Sequence, residues 1–237
     1  MRKLMLKLID FYQKKVSPGM DKKCRHRPTC SQYAKEAYTR FNFFYASWLT
    51  FKRLLKCNRL FKPMYDPVPM KHSKVVKKYH KIIKKNKGEI AIDATCGNGH
   101  DTIFLSEHFK HVYSFDIQEL AIKRTKEKMY YINNVSLYLD DFNNIDQYVE
   151  KANLAVFNLG FLPGSNKKIK TQDYTSSKAI KKCYNLLEDG GILIVCAYTK
   201  HEGGIEEYNA VLEEFKDIKY DLYDKFKNQE KLIVIKK

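Results

Sequence analysis

The chain has 237 residues, enough for one large domain or a medium and a small one, and its 44% hydrophobic share permits an ordinary buried core. Its net charge of +17 is concentrated in the first third: residues 1–88 carry 24 Lys and Arg against four acids, the remainder 20 against 23. Such a block favours a polyanion, either nucleic acid or an anionic membrane surface, over a merely solubilising role. Six cysteines do not make a secreted disulfide scaffold, so reduced thiols are expected. Lys7, Asp10, Lys14 and Lys15 leave no apolar leader core, and no run of about 18 apolar residues is present to span a bilayer. The expected place is the cytoplasm, or the cytoplasmic face of a membrane.

In chain order, Arg2–Val16 reads as an amphipathic helix with Leu4, Leu8, Phe11 and Tyr12 on one face, Met5 and Ile9 widening it, and lysines on a flank. Such a face either lies in a lipid interface or packs a small core. Ser17-Pro18-Gly19 ends it. A loop from Cys24 to Cys30 leads to a helix over about 31–40, and an aromatic-rich helix follows to about Lys56. Cys24, Cys30, Cys57 and His26 invite a zinc reading, but their spacing fits no standard finger and no metal is expected. Met64-Tyr65-Asp66-Pro67-Val68-Pro69 cannot continue a helix, so the domain boundary falls there, giving domains 1–69 and 70–237.

Beyond it the rhythm becomes alternating strand and helix. A basic helix over 72–86 buries Val75, Val76, Tyr79, Ile82 and Ile83. Strands are expected at 89–93, 111–116, 135–139, 154–158 and 191–198, with helices at 101–108, 118–131, 176–187 and 206–215. A final antiparallel hairpin is expected from 218–226 and 231–235. This is an α/β pattern: a mostly parallel, Rossmann-like sheet whose ligand lies beyond the carboxyl ends of the strands.

Asp93-Ala94-Thr95-Cys96-Gly97-Asn98-Gly99-His100-Asp101 is a strand, a glycine-bearing turn and a helix start. It lacks Gly-Lys-Ser/Thr and a complete dinucleotide pattern, so it is not a phosphate loop. Asp116 ends the next strand, where an acid takes both hydroxyls of a ribose, followed by Ile117 and Gln118. Asp140 and Asp141 end the third, suited to an adenine amino group. Three acids at successive strand ends suit a cationic sulfonium nucleoside, S-adenosyl-L-methionine, better than a pyrophosphate. The plain alternative is that they cap helices and turns.

The segment 71–237 resembles the class I methyltransferase family long labelled rRNA methylase, which includes the bacterial tRNA 5-(aminomethyl)uridine methyltransferases. The resemblance rests on Asp93-Ala94-Thr95, Gly97-Asn98-Gly99, Asp101-Thr102 and Phe115-Asp116-Ile117-Gln118. Two further segments carry it more specifically: Phe157-Asn158-Leu159-Gly160-Phe161-Leu162-Pro163-Gly164 and His201-Glu202-Gly203-Gly204. It departs where the family has Asp-Ser-His after strand three (here Asp140-Asp141-Phe142) and Tyr before Leu-Pro-Gly (here Phe161).

The resemblance implies methyl transfer to the exocyclic amine of 5-aminomethyl-(2-thio)uridine at the tRNA wobble position. Asp93, Thr95, Gly97, Asn98, Gly99, Asp101, Asp116, Ile117, Gln118, Asp140, Asp141 and Asn158 would then hold the cofactor. Leu159 to Gly164 and His201 would meet the substrate. Asn158 would accept from the attacking amine, and His201 and Glu202 would orient or deprotonate it. Capping or surface-loop roles are the alternatives for these three.

Residues 1–69 resemble the membrane protein insertion efficiency factors. The match runs through Phe11-Tyr12-Gln13, Ser17-Pro18, Cys24-Arg25, Pro28-Thr29-Cys30-Ser31-Gln32-Tyr33-Ala34, Lys52-Arg53-Leu54-Leu55-Lys56-Cys57 and Tyr65-Asp66-Pro67-Val68-Pro69. The expected protein is a fusion, partnered by tRNA or another RNA and by an anionic membrane surface or insertion machinery. An rRNA or small-amine methyltransferase, or an insertion scaffold with a vestigial enzyme, are the rivals.

Overall fold

The structure, a computed structural model, describes residues 1–19, 24–69, 72–159, 173–200, 203–226 and 229–237, with the backbone alone at 173–175. The chain divides into two compact units, Met1–Lys71 and His72–Lys237.

The first unit holds three helices: α1 (Arg2–Phe11), α2 (Cys30–Arg40) and α3 (Phe43–Lys56). A wider π turn and a 3₁₀ turn carry α1 on to Gly19. The Pro28-to-Tyr33 motif has a mechanical reason. The Thr29 side chain accepts from Gln32 N, and Gln32 Oε1 accepts from Thr29 N, a reciprocal capping box that starts α2. Asn42 caps α3 by accepting from Tyr45 N. Tyr33, Ala37, Tyr38, Ala46, Leu49 and Val68 form the core, with Met5, Leu6 and Ile9 packed against it.

The apolar surface of α1 is therefore split. Met5, Leu6 and Ile9 face inward, whereas Leu4, Leu8 and Phe11 are more than half exposed. Phe44, Trp48, Phe51 and Leu55, spaced i, i+4, i+7 and i+11 on α3, are exposed as well. Arg53 is buried, 2.8 Å from Asp66 and donating to Pro28 O at 2.7 Å, so the Tyr65-Asp66-Pro67 strap closes the unit.

The second unit is a seven-stranded sheet between helices. Its strands are β1 (Gly88–Asp93), β2 (Phe109–Asp116), β3 (Val135–Leu139), β4 (Ala152–Leu159), β5 (Leu187–Tyr198), β6 (Tyr220–Tyr223) and β7 (Glu230–Lys236), in the order β3-β2-β1-β4-β5-β7-β6. β7 runs antiparallel to both neighbours, and the pairs among the first five strands are parallel. The helices are α4 (Lys74–Lys85), α5 (His100–Ser106), α6 (Glu119–Lys128), α7 (Asp173–Asn185) and α8 (Gly204–Glu214).

Strict alternation buries both faces. Ala91, Val112, Leu154, Val156, Ile194 and Leu232 pack with Val75, Tyr79 and Ile83 of α4. Ile92, Phe115, Ala155, Phe157, Leu193 and Ile233 pack with Ile180 of α7 and Val211 of α8. The order reverses between β1 and β4, so the switch point opens beyond Asp93 and Asn158.

Candidate functional site

The turn after β1 is shaped by its glycines. Gly97 and Gly99 sit at φ 52° and 73°, left-handed values that a side chain disfavours. A Cβ on Gly99 would fall 2.6 Å from Thr125 Cγ2. The turn is held from several sides: Gly97 N donates to Asp116 Oδ2 at 2.9 Å, Arg124 to Asn98 Oδ1, and Lys128 Nζ to Asn98 O. Thr95 Oγ1 accepts from Asn158 N at 2.8 Å and ties the end of β1 to the end of β4.

The acids divide by role. Asp93 is wholly buried and accepts from Thr102 Oγ1 at 2.6 Å and Thr95 N at 3.3 Å, so it supports the turn from beneath. Burial, with Asp101 nearby, pushes its carboxyl up to about 7. Asp116 is half-buried at the end of β2 and braces the turn through Gly97 N on one oxygen and Gln118 N on the other. Burial raises its pKa too. Ile117 beside it is exposed.

Asp140 and Asp141 differ from the open acceptors expected at the third strand end. Asp140 accepts from Tyr148 Oη at 2.6 Å, Asn144 Nδ2 at 2.9 Å and Asp141 N, and the Tyr148 bond leads in lowering its pKa. Asp141 caps a 3₁₀ turn by accepting from Asn143 N at 2.8 Å. Both carboxylates thus brace their own loop, and each keeps lone pairs for a further donor.

Asp101 is likewise engaged by protein groups. It is buried in the first turn of α5 and accepts from Tyr79 Oη at 2.8 Å, Asn158 Nδ2 at 3.2 Å and, on its other oxygen, His80 Nε2 at 2.8 Å. Tyr79 and His80 come from α4, and His80 stacks on Phe104 at 3.7 Å between ring centroids. From sequence Tyr79 reads as core, and His80 draws no functional reading. The available signal was a hydroxyl and an imidazole side by side on the buried face of an otherwise Val/Ile-lined helix.

The remaining piece is Asn158. Its Nδ2 is spent on Asp101, while Oδ1 is buried with no hydrogen-bond partner among the described residues. Unsatisfied buried acceptors are uncommon and call for a donor. Leu159 is buried beside it, and Gly203 opens α8 at φ 84°. Gly160, Phe161, Leu162, Pro163, Gly164, His201 and Glu202 lie outside the described residues. Among the described residues no His/Cys/Asp/Glu group can hold a metal, and both His26 nitrogens meet backbone, Lys56 O and Met64 N.

Two family models match the chain: "Putative membrane protein insertion efficiency factor" over residues 1–69, and "Putative rRNA methylase" over 112–232. A protein of the first description from Chlorobaculum tepidum is 55% identical over 67 residues, 28% of this chain and 81% of its own length. The solved structure of a Streptococcus mutans protein described as "a putative methyltransferase", in complex with SAH, is 38% identical with a TM-score of 0.63. That match covers 70% of this chain and 98% of the other. The chloroplastic tRNA (mnm(5)s(2)U34)-methyltransferase of Arabidopsis thaliana is 35% identical over 143 residues, and the match spans 53% of this chain and about half (52%) of that protein. The chain is thus a fusion, belonging to the membrane protein insertion efficiency factor family through residues 1–69 and to the rRNA methylase family through its Rossmann-like unit.

Proposed function

We propose that the second unit transfers a methyl group from S-adenosyl-L-methionine to the exocyclic amine of a 5-aminomethyluridine, with or without 2-thiolation, at the tRNA wobble position. The unpartnered Oδ1 of Asn158 at the switch point carries this reading. An amine about to be methylated presents N–H donors, and an acceptor at that place fixes the direction of its lone pair.

The donor set fits the cofactor. The acid at the end of β2, the positive-φ turn after β1 and the lack of a phosphate-loop lysine in the sequence support this reading. The Thr95–Gly99 turn and Asp116 would hold the tail and ribose, and Asp140–Asp141 the adenine. S-adenosyl-L-methionine supplies the methyl group on an electrophilic sulfonium. The chain's own task is to orient the amine in line and keep it neutral. Asn158 does the first; His201 and Glu202 are proposed for the second. Leu159 to Gly164 are proposed to cover the base. The RNA has a natural approach along α4, whose Lys74, Lys77, Lys81, Lys84 and Lys85 are exposed.

The test is nucleoside mass spectrometry of tRNA from a deletion strain. Accumulated 5-aminomethyl nucleosides support the reading, and unchanged wobble uridines refute it. In vitro, Asn158→Ala is expected to abolish transfer while leaving cofactor affinity nearly intact. A ribosomal-RNA acceptor is the second reading, favoured by the family's description. It predicts a methylated ribosomal nucleoside lost in the same strain.

For the first unit the proposed partner is an anionic membrane surface on the cytoplasmic side. The exposed rows Leu4–Leu8–Phe11 and Phe44–Trp48–Phe51–Leu55 offer apolar area, and 16 Lys and Arg against four acids in residues 1–69 supply the charge. No helix among the described residues is long and apolar enough to cross a membrane. Flotation with anionic vesicles tests this. A Trp48→Ser/Phe51→Ser variant that floats as well as the wild type refutes it.

A further inference from the structure

We infer that Asp101, held by Tyr79 and His80, is a positioning residue that fixes which end of the Asn158 amide faces the reacting group; the inference rests on the methyl-transfer reading above. A carboxylate offers only acceptors, so the atom of Asn158 turned toward it must be Nδ2, at 3.2 Å from Oδ2. Oδ1 is thereby left at the other end, buried and without a partner among the described residues. The reverse orientation would set lone pair against lone pair beside Asp101 and point an N–H at the acceptor amine, the wrong polarity for an attacking nitrogen.

Asp101 is itself restrained. Tyr79 Oη lies 2.8 and 3.0 Å from its two oxygens. His80 Nε2 lies 2.8 Å from Oδ1 and must carry the proton, because the carboxylate has none to give. Tyr79 is fully buried, and His80 is clamped in plane against Phe104, with 5° between the rings. The amide is thus set from α4 and α5 by three side chains that need not touch substrate or cofactor.

The same polarity defines the substrate class: the site takes an acceptor group that still bears N–H and turns away one that offers only lone pairs.

The test uses the full-length protein with tRNA isolated from the deletion strain. Asp101→Asn, which lets the amide turn over, is expected to lower kcat at least ten-fold while leaving KM for S-adenosyl-L-methionine within two-fold. His80→Gln, which keeps a donor near the same position, is expected to retain most of kcat, and His80→Leu to lose it. A second readout needs no turnover. The side-chain amide signals of Asn158 in the ¹⁵N spectrum of the ligand-free protein, identified by their absence in Asn158→Ala, shift in Asp101→Asn and His80→Leu but not in His80→Gln. Wild-type kcat in Asp101→Asn, or Asn158 signals that stay in place, overturns the inference and leaves the proposed function standing. No transfer by the wild-type protein itself overturns the proposed function and the inference with it.

Discussion

Gly99→Ala separates the two constraints on the turn. The residue sits at φ 73°, where a Cβ crowds its own carbonyl at a cost of about 1–2 kcal/mol. That Cβ would also lie 2.6 Å from Thr125 Cγ2 and 2.7 Å from Thr125 Oγ1. Thr125 is wholly buried and donates to Gly97 O at 3.3 Å, so it cannot swing away freely. Overpacking of this kind adds about 1–3 kcal/mol, for a total of about 2–5. In a unit of this size each kcal/mol moves Tm by about 2–4 °C, so a fall of roughly 4–20 °C is expected in thermal unfolding followed by circular dichroism. In a Thr125→Ala background the clash is relieved and the backbone term stays, so the second-site cost of Gly99→Ala drops to about 1–2 kcal/mol. Equal costs in both backgrounds, or a loss under about 1 kcal/mol in the native one, would show that Gly99 is not pinned as described.

Asp93→Asn should flatten the pH dependence of stability. The folded carboxyl is raised from 3.8 to about 7, so its contribution is full below pH 4 and is lost as pH rises through 7. Denaturation midpoints of wild type minus variant should therefore fall between pH 4 and 7; a constant difference counts against the raised carboxyl. Arg53→Met removes the buried partner of Asp66 and the donor to Pro28 O, leaving Asp66 only Lys56 Nζ at 3.4 Å. Since Asp66 keeps about a quarter of its side chain exposed, the cost is set below the fully buried case at about 2–4 kcal/mol. The only tryptophan, Trp48, reports the first unit by fluorescence, and adding Asp66→Asn should recover part of the loss. Lys77→Glu/Lys81→Glu should raise KM for tRNA and lower the slope of log affinity against log salt by about 2, because each phosphate contact contributes about one unit. An unaltered salt slope removes α4 from the RNA path.

Much of the fold was legible because both sheet faces are buried. The alternation of Ala91 with Ile92, or Leu154 with Ala155, needs no knowledge of partners. The expected antiparallel ending also formed, with β7 placed between β5 and β6. Less was legible where a side chain's partners come from distant residues. The position of Asn158 at a strand end is local, but its amide orientation depends on Asp101, 57 residues earlier, and on Tyr79 and His80 earlier still. Asp140 and Asp141 are ambiguous for the opposite reason. Asp-Asp-Phe-Asn-Asn reads equally as open acceptors or as a self-bonded turn, and the bond from Tyr148 to Asp140 arrives from outside that run. Along α1 apolar residues lie on more than one side, and helical period alone does not tell Leu8 from Ile9.

The charge distribution ties these threads to α4. From Gly88 onward the chain carries three more acids than bases, so the proposed attraction for RNA would enter through the lysines of 74–87 or through the first unit. Screening confines such attraction to about 8 Å at physiological salt, which places the demand on exposed groups close to the RNA path. The outward side of α4 carries Lys74, Lys77 and Lys81 at the surface, while its inward side carries Tyr79 and His80 to Asp101. One helix is therefore proposed for two tasks that most surfaces keep apart: drawing a polyanion and setting the polarity of a buried amide. The tasks separate in measurement. A change on the outer side should read in KM and salt slope, a change on the inner side in kcat and in the Asn158 signals, and a cross-over between the two would mean that α4 shifts as a body when RNA binds.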